Sequence, residues 1–162
     1  MLDDKLLKNI LDSSTEYAII AADHNRTIRS WNEGARRMFG YEKEEVVGKQ
    51  KLSILFSSRE AKPEAVKKKI REAIKNNFWE GEGYRQRKNR ETFLAKIIVT
   101  PIRDDKNSII GSLAIIRDIT KERVVEHSLK DLVTLTEAVI NSIPSILIVL
   151  DAKLKILRTN RS

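Results

Sequence analysis

Apolar residues recur along this chain with two different periods, and these periods predict where helices and strands lie. A spacing of three and four residues is typical of a helix with one buried face, whereas alternation is typical of a strand. The first pattern predicts helices over residues 2–13, 33–39, 42–46, 63–76 and 121–140. The second predicts strands over residues 17–22, 27–31, 81–88, 91–102 and 109–118. This order favours an α+β fold in which helices cover one face of a five-stranded antiparallel sheet.

The helix over residues 63–76 would lie across the sheet and leave a cavity between the two layers. The apolar residues that we expect to face this space are Ile20, Ile28, Met38, Phe39, Val66, Ile70, Ile74, Trp79, Phe93, Ile97, Leu113 and Ile115. Each of them would serve equally well as an ordinary core residue. Arg117 is predicted on the same face of the last strand, where it would either anchor a ligand carboxylate or pair with a nearby acid.

The helix predicted over residues 121–140 carries a narrow apolar seam. Its members are Val125, Leu129, Leu132, Leu135 and Val139, at spacings of four, three, three and four residues. Such a seam is typical of a helix that pairs with another helix, and packing against its own domain is the alternative. Together with Leu2, Leu6 and Ile10 on the first helix, the seam predicts a homodimer.

The end of the chain repeats its beginning. A shift of 128 residues brings Ser14, Ile20, Asp23, Ile28 and Asn32 onto Ser142, Ile148, Asp151, Ile156 and Asn160 without a gap. Because the predicted helix, strands and turn coincide as well, we interpret residues 141–162 as the start of a second copy of the domain. The expected organisation is a helix at 1–14, a domain at 15–118, a linker helix at 119–140 and this truncated copy. A lone hairpin cannot bury both of its faces, so we expect a longer parent protein.

The amino-acid composition limits which binding sites and which partners this chain can have. The 162 residues include no cysteine, which excludes disulfides, thiolate metal sites and a cysteine photoadduct. With no membrane-length apolar run and no secretion signal at the N-terminus, we expect a cytoplasmic protein. Of the net charge of +8, an excess of +7 lies at residues 61–103, where twelve Lys or Arg face five Glu. This basic stretch makes nucleic acid a candidate partner, but a solvated helix face and a hairpin tip explain it more simply.

Several short motifs, in their order and spacing, resemble the PAS sensory domains over residues 10–122. They are AIIAAD at 18–23, IRSWNEGA at 28–35, MFGY at 38–41, EVVGK at 45–49, WEGE at 79–82, RKNR at 87–90, PIRD at 101–104, and Gly111 followed by RDIT at 117–120. The turns Asn25-Arg26 and Asn89-Arg90 depart from the Asp-Gly that is usual in this family. The resemblance implies a PAS fold and a sensory and dimerisation module, with a sensor histidine kinase as the expected host protein.

The resemblance also implies that Asp118 and Thr120 pass movements of the sheet to the helix that follows them. Thr120 is independently suited to cap that helix, because its hydroxyl can accept hydrogen bonds from the first backbone N–H groups. A shift of the last strand would then move the helix directly.

The ligand remains open between a small metabolite, none at all, and a flavin. Flavin is an alternative because Trp79 and Asn32 occupy positions that hold it in some relatives, although Asn32 also suits a helix cap. Haem is not expected, because the helix over residues 63–76 has no histidine. The two histidines, His24 and His127, stand in no catalytic pattern, so we expect no enzymatic activity. The competing functions are a metabolite sensor, a flavin-binding redox sensor, a ligand-free dimerisation module and, last, a nucleic-acid-binding domain.

Overall fold

The computed structural model of the protein describes residues 3–57, 63–142 and 148–159, which fall into two units divided between Thr120 and Lys121. The helices of the first unit are α1 (Asp4–Ser13), α2 (Glu33–Phe39), α3 (Lys43–Val46) and α4 (Pro63–Asn76), with a 3₁₀ turn at Leu52–Leu55. Its strands are β1 (Ala18–Asp23), β2 (Ile28–Trp31), β3 (Trp79–Gln86), β4 (Thr92–Arg103) and β5 (Ile109–Asp118). Helix α5 (Thr120–Ser142) starts at the division, and the hairpin of β6 (Ile148–Leu150) and β7 (Ile156–Thr159) follows it.

The strands of the first unit form one antiparallel sheet in the order β2-β1-β5-β4-β3. This confirms the predicted five-stranded α+β architecture. Local signals set the ends of α2 as expected, because the Asn32 side chain accepts from the Ala35 N–H at 2.9 Å and Gly40 adopts a left-handed φ of 77°. Strand β5 is the last of these five strands in the sequence, but it lies at the centre of the sheet between β1 and β4.

The core lies between the sheet and α2 and is centred on three aromatic rings. Phe39 is fully buried, with its ring centroid 5.7 Å from that of Trp31 and 5.5 Å from that of Phe93. The Trp31 indole N–H donates to the Tyr41 carbonyl oxygen at 3.1 Å, so its one polar atom is satisfied inside the core. These contacts fix α2 against the sheet.

The predicted inward face of β5 is wrong. Directly paired residues on neighbouring strands project to the same face, and Ala114 pairs with the fully buried Ile20 and with Val99. The inward residues of β5 are therefore Ser112, Ala114 and Ile116, whereas Leu113, Ile115 and Arg117 project from the opposite face. A central strand carries apolar residues on both faces, so alternation alone did not show which face was inward.

On α4, the predicted inward position of Ile74 is wrong. Ile74 is 42% exposed, whereas its neighbour Ala73 is buried and Lys69, one turn earlier, is half-buried. A shift of one position turns a helix face by about 100°. The side chains of Val66 and Ile70 lie outside the described residues.

The hairpin of the second unit has the same register as the first hairpin of the sheet. In the first hairpin Ile20 pairs with Trp31 and Ala22 pairs with Ile28. In the second, the residues 128 positions later pair in the same way, Ile148 with Thr159 and Leu150 with Ile156. The register of both hairpins also shifts at the equivalent position, between Ala21 and Ala22 and between Val149 and Leu150. The turns agree in detail as well. Asp23 Oδ1 and Asp151 Oδ1 each accept from the N–H groups two and four residues later, and Arg26 and Leu154 both have a positive φ.

Candidate functional site

A cavity of about 210 Å³ lies on the inner face of the sheet, beneath the 3₁₀ turn and α4. Its floor is formed by inward residues of three strands: Trp79, Ile97, Val99, Ser112, Ala114 and Ile116. Its opposite wall is formed by Leu52, Ser53, Leu55 and Phe56. The cavity is therefore mainly apolar and has the character of a small-molecule site.

Three cationic side chains also line the cavity: Arg26, Lys69 and Arg85. Arg85 is only 4% exposed, and its guanidinium lies 4.4 Å from the ring centroid of Phe56. Lys69 Nζ lies 4.8 Å from the ring centroid of Trp79. Each of these two cations is thus held over an aromatic face, which partly offsets the cost of withdrawing it from water.

Two of the predicted pocket residues, Trp79 and Ile97, line this cavity. Five further predicted residues are buried but belong to the core beside the cavity: Ile20, Ile28, Met38, Phe39 and Phe93. Sequence reasoning missed Arg85, although a signal was present. Arg85 follows Trp79, Gly81 and Gly83 in strict alternation, so it shares their inward face. Gly81 leaves room for the Trp79 ring, since a Cβ there would lie 2.6 Å from it.

Asn32 does not line the cavity. Its side chain is 3% exposed and is used within the fold, where Oδ1 accepts from the Ile19 N–H at 2.8 Å as well as from Ala35. Its Nδ2 group lies 3.0 Å from three carbonyl oxygens, those of Leu11, Ser14 and Tyr17. Asn32 and Trp79, the pair predicted to hold a flavin, therefore do not come together at one site. Asn32 instead attaches the end of α1 to β1 and α2.

The end of β5 and the start of α5 are attached to β4 by backbone and side-chain hydrogen bonds at residues 118–120, which we call the β5–α5 junction. The Ile119 N–H donates to the Leu94 carbonyl at 2.9 Å, and the Leu94 N–H donates to the Thr120 hydroxyl at 3.0 Å. The Thr120 N–H donates to Asp118 Oδ1 at 2.9 Å. The predicted cap at Thr120 is therefore wrong, because α5 starts one residue earlier than expected and Asp118 accepts from its first turn.

Asp118 also joins the junction to the turn between β3 and β4. Its Oδ2 forms an ion pair with Arg87 Nη2 at 2.5 Å. Arg87 in turn donates to the Met38 carbonyl at the end of α2, and its guanidinium lies 4.1 Å from the Phe93 ring centroid. One arginine thus connects the junction, the core and α2.

The pKa of the Asp118 carboxyl reflects these contacts. Partial burial raises it, but the hydrogen bonds from the Thr120 backbone and hydroxyl, together with the Arg87 guanidinium, outweigh burial and hold the pKa below its ordinary value. Asp118 is therefore ionised at neutral pH, and its pair with Arg87 is a charged one.

The apolar seam predicted for pairing lies at the surface of α5. Its five residues, Val125, Leu129, Leu132, Leu135 and Val139, are between 55% and 67% exposed. On α1, Leu6 and Ile10 are 49% and 51% exposed, and Leu2 lies outside the described residues. A row of large apolar side chains this exposed is typical of a surface that meets another protein chain.

No acid–histidine group with the geometry of a metal site occurs within the described ranges. Across the same ranges, no helix has both the length and the apolarity needed to cross a bilayer. His127 lies on α5, with Nδ1 2.9 Å from Asp131 Oδ2 one turn later, and both side chains are exposed.

Comparison with known proteins agrees with this architecture. A family model described as "PAS domain" matches residues 15–121. Two-component system protein A of Emericella nidulans is 30% identical over 119 residues, which make up 74% of this chain and 17% of that protein. Four curated relatives that match are much longer, since the chain spans between 17% and 28% of their lengths.

Solved structures show the same fold. The crystal structure of a PAS domain from Colwellia psychrerythraea is 27% identical, with a TM-score of 0.66, and the match covers 72% of this chain and 97% of that one. A light-oxygen-voltage domain studied with a flavin analogue is 20% identical, with a TM-score of 0.56. The match covers 82% of this chain and 96% of that domain, and at this identity it shows a shared fold alone. With the sheet order and the matched family model in agreement, the chain belongs to the PAS domain family.

Proposed function

We propose that this PAS domain is the cytoplasmic sensing and dimerisation module of a signal-transduction protein, with a sensor histidine kinase as the preferred host. The likeness to a two-component system protein supports this choice of host. The chain itself supplies no catalytic step in this proposal. A change at the cavity alters the sheet, and the β5–α5 junction passes the change to α5.

The β5–α5 junction is the observation that carries the proposal. Ile97 and Val99 of β4 line the cavity, and Leu94 of the same strand exchanges hydrogen bonds with Ile119 and Thr120. On β5, Ile116 lines the cavity two residues before Asp118. A displacement of either strand at the cavity therefore reaches the first turn of α5 through a short, hydrogen-bonded path.

Weakening the junction should loosen the start of α5 without unfolding the domain. We expect Asp118→Asn and Thr120→Val each to raise amide hydrogen exchange at residues 119–124 by about fivefold, since each removes contacts of modest energy. Asp105→Asn is the matched control, because Asp105 is exposed in the β4–β5 turn. Unchanged exchange in both junction variants, with a native circular dichroism spectrum, would contradict the proposed path.

The pH dependence of the free energy of unfolding distinguishes the contribution of the Asp118 charge from that of the size and shape of its side chain. Because its folded pKa lies below the ordinary value of 3.8, ionisation stabilises the fold above that pH, and this contribution is lost as the pH falls through the folded pKa. Asp118→Asn should therefore lower the free energy of urea unfolding at pH 7, and the difference from the unsubstituted chain should shrink as the pH falls below 3.8. A difference that stays constant with pH would show that the charge has no part in the effect.

We further propose that α5 pairs with α5 of a second copy through its apolar seam, assisted by Leu6 and Ile10 of α1. The heptad-like spacing and exposure of the seam support pairing with a helix of the same kind. Burying a leucine contributes about 1.5–3 kcal/mol, and a symmetric pair buries each position twice.

Polar substitutions in the seam should therefore dissociate the dimer. We expect Leu129→Gln with Leu132→Gln to raise the dimer dissociation constant by about a hundredfold or more in sedimentation equilibrium. Lys130→Gln with Glu137→Gln is the control, because both residues are exposed on the helix but stand outside the seam. A double variant as dimeric as its control would show that another surface mediates pairing, or that the chain does not pair.

Residues 148–159, we propose, begin a second domain of the same fold. The shared register, slip and turn of the two hairpins support this interpretation beyond the sequence repeat. In an isotope-labelled chain, NMR should show cross-strand contacts between Ile148 and Thr159 and a positive φ at Leu154. Pairing in a different register would remove the basis of the proposal.

A further inference from the structure

We infer that residues 48–56, which we call the strap, form a hinged cover over the cavity, and that the contact between Phe56 and Arg85 is the latch that holds it closed. The strap follows α3 in the chain and contains the 3₁₀ turn at Leu52–Leu55, which forms one wall of the cavity. Opening of the strap would supply the movement by which the cavity acts on the sheet, so the inference rests on the proposed sensing function.

The strap is attached to both edges of the five-stranded sheet. At its start, the Ile28 carbonyl accepts from the Gly48 N–H at 2.8 Å, and the Ile28 N–H donates to the Gln50 carbonyl at 2.9 Å. At its end, Phe56 forms a β-bridge with Arg85. Strand β2, which begins at Ile28, and strand β3, which contains Arg85, are the two outermost strands of the sheet. The strap therefore crosses from one edge to the other over the inner face.

The strap is too short to join the edges of a flat sheet. Its two bridges, from Lys51 to Thr27 and from Phe56 to Arg85, are five residue steps apart. Five extended steps reach at most about 18 Å, and the 3₁₀ turn between the bridges shortens the strap further. The outermost strands of a flat five-stranded sheet lie about 19 Å apart. The strap therefore holds the sheet curved, and its release would allow the two edges to move apart.

The two ends of the strap differ in what holds them. At the β2 end, main-chain hydrogen bonds continue the sheet, and this end serves as the hinge. At the β3 end, side chains meet, because the Arg85 guanidinium lies 4.4 Å from the ring centroid of Phe56. Arg85 also donates to the Tyr84 carbonyl at 2.8 Å, so it is fixed to its own strand independently of the strap. Opening at Phe56 would withdraw Leu55, which is 2% exposed, from the core.

Thiol reactivity measures this opening, because the chain has no cysteine of its own. Leu55→Cys places a thiol on the strap and Ile97→Cys places one on the cavity floor, and both positions are 2% exposed. Val46→Cys, at a fully buried position before the hinge, is the control. We expect iodoacetamide to modify the first two thiols at least about tenfold faster when the chain also carries Phe56→Leu, and the third at an unchanged rate.

The three thiols distinguish a hinged opening from other movements. A faster reaction at all three positions, Val46→Cys included, would mean that the whole domain unfolds more often, and it would overturn the hinge. A faster reaction at Leu55→Cys without one at Ile97→Cys would overturn the claim that the strap covers the cavity.

A double-mutant cycle tests the latch itself. Arg85→Gln should accelerate the reaction at Leu55→Cys as much as Phe56→Leu does, and the two together should add little, since each removes the same contact. Arg103→Gln, at an exposed cation that does not line the cavity, is the control and should leave the rate unchanged. Independent effects of the two substitutions would refute the latch.

A conservative variant decides the matter if Arg85→Gln fails to fold. Phe56→Tyr keeps an aromatic ring beside the guanidinium, so the reaction at Leu55→Cys should stay close to its rate in the chain with Phe56. Equal acceleration by Phe56→Tyr and Phe56→Leu would show that stacking does not hold the strap closed.

The outcomes separate this inference from the proposed function. The expected strap reactivity, without an effect of Asp118→Asn on hydrogen exchange in α5, would support the latch and count against the β5–α5 junction. An unchanged rate in Phe56→Leu, together with the expected effect of Asp118→Asn, would leave the junction proposal standing and remove the latch.

Discussion

Replacing Asn32 with alanine is expected to destabilise the first unit by about 3 kcal/mol or more. The reason is the number of buried groups that depend on this one side chain. Two backbone N–H groups donate to its oxygen, and three carbonyl oxygens lie within hydrogen-bond distance of its nitrogen. With the residue only 3% exposed, water cannot readily replace these partners.

The change should be measured as the free energy of urea unfolding, followed by tryptophan fluorescence. Both tryptophans, Trp31 and Trp79, lie in the first unit, so the signal reports on it alone. Asn89→Ala is the matched control, because Asn89 is exposed in the β3–β4 turn. Asn32→Asp should be no milder than Asn32→Ala, since it places a carboxylate beside the three carbonyl oxygens. Similar losses at Asn32 and Asn89 would show that the observed network contributes little.

Replacing Phe39 with alanine is the second large effect, with an expected loss of about 3–5 kcal/mol. Phe39 is fully buried between Trp31 and Phe93, and removal of its ring leaves a space that the packed sheet cannot close. The packing of the Phe39 ring also holds α2 in place. Near the end of this helix, the Met38 carbonyl accepts from the Arg87 side chain and the Phe39 carbonyl accepts from the Lys88 N–H, both in the β3–β4 turn. Loss of the ring should therefore weaken the attachment of the junction as well.

Phe78→Ala provides the comparison for this prediction. Phe78 carries the same side chain but is 52% exposed, so its removal should cost well under half as much. Both variants can be followed in the same urea titration, with the same tryptophan signal. Equal costs at the two positions would mean that the ring of Phe39 is not packed as the structure shows.

Much of the fold follows from short stretches of sequence. The cap at Asn32 and the left-handed Gly40 depend on residues within one helix turn, so the limits of α2 could be predicted closely. The turn at Asp23 is equally local, because its carboxylate accepts from N–H groups two and four residues later. The same chemistry recurs at Asp151, which is why the repeat was visible in the sequence and also in the pairing of the hairpin.

The candidate site could be predicted only in part. Of the residues predicted to face the cavity, Trp79 and Ile97 line it, because alternation along β3 and β4 turns both toward the inner face of the sheet. Arg85 was missed, because a charged residue in a strand is ordinarily assigned to solvent even where alternation places it inward, and its guanidinium is buried against the ring of Phe56. Phe56 lies 29 residues earlier in the chain, beyond the reach of any periodic pattern.

The sequence by itself determined the elements, their order and the antiparallel sheet, because caps, turns and periodicity act between residues that are close along the chain. The tertiary structure alone decided which faces these elements bury. Strand β5 is apolar on both sides, and only its pairing with Ile20 and Val99 turns Ala114 inward and Leu113 outward. Helix α4 buries Ala73 rather than Ile74, because contact with the sheet sets its rotation. Which side chains are buried depends on partners that are distant in sequence, and these contacts determine the shape of the cavity and the residues that line it.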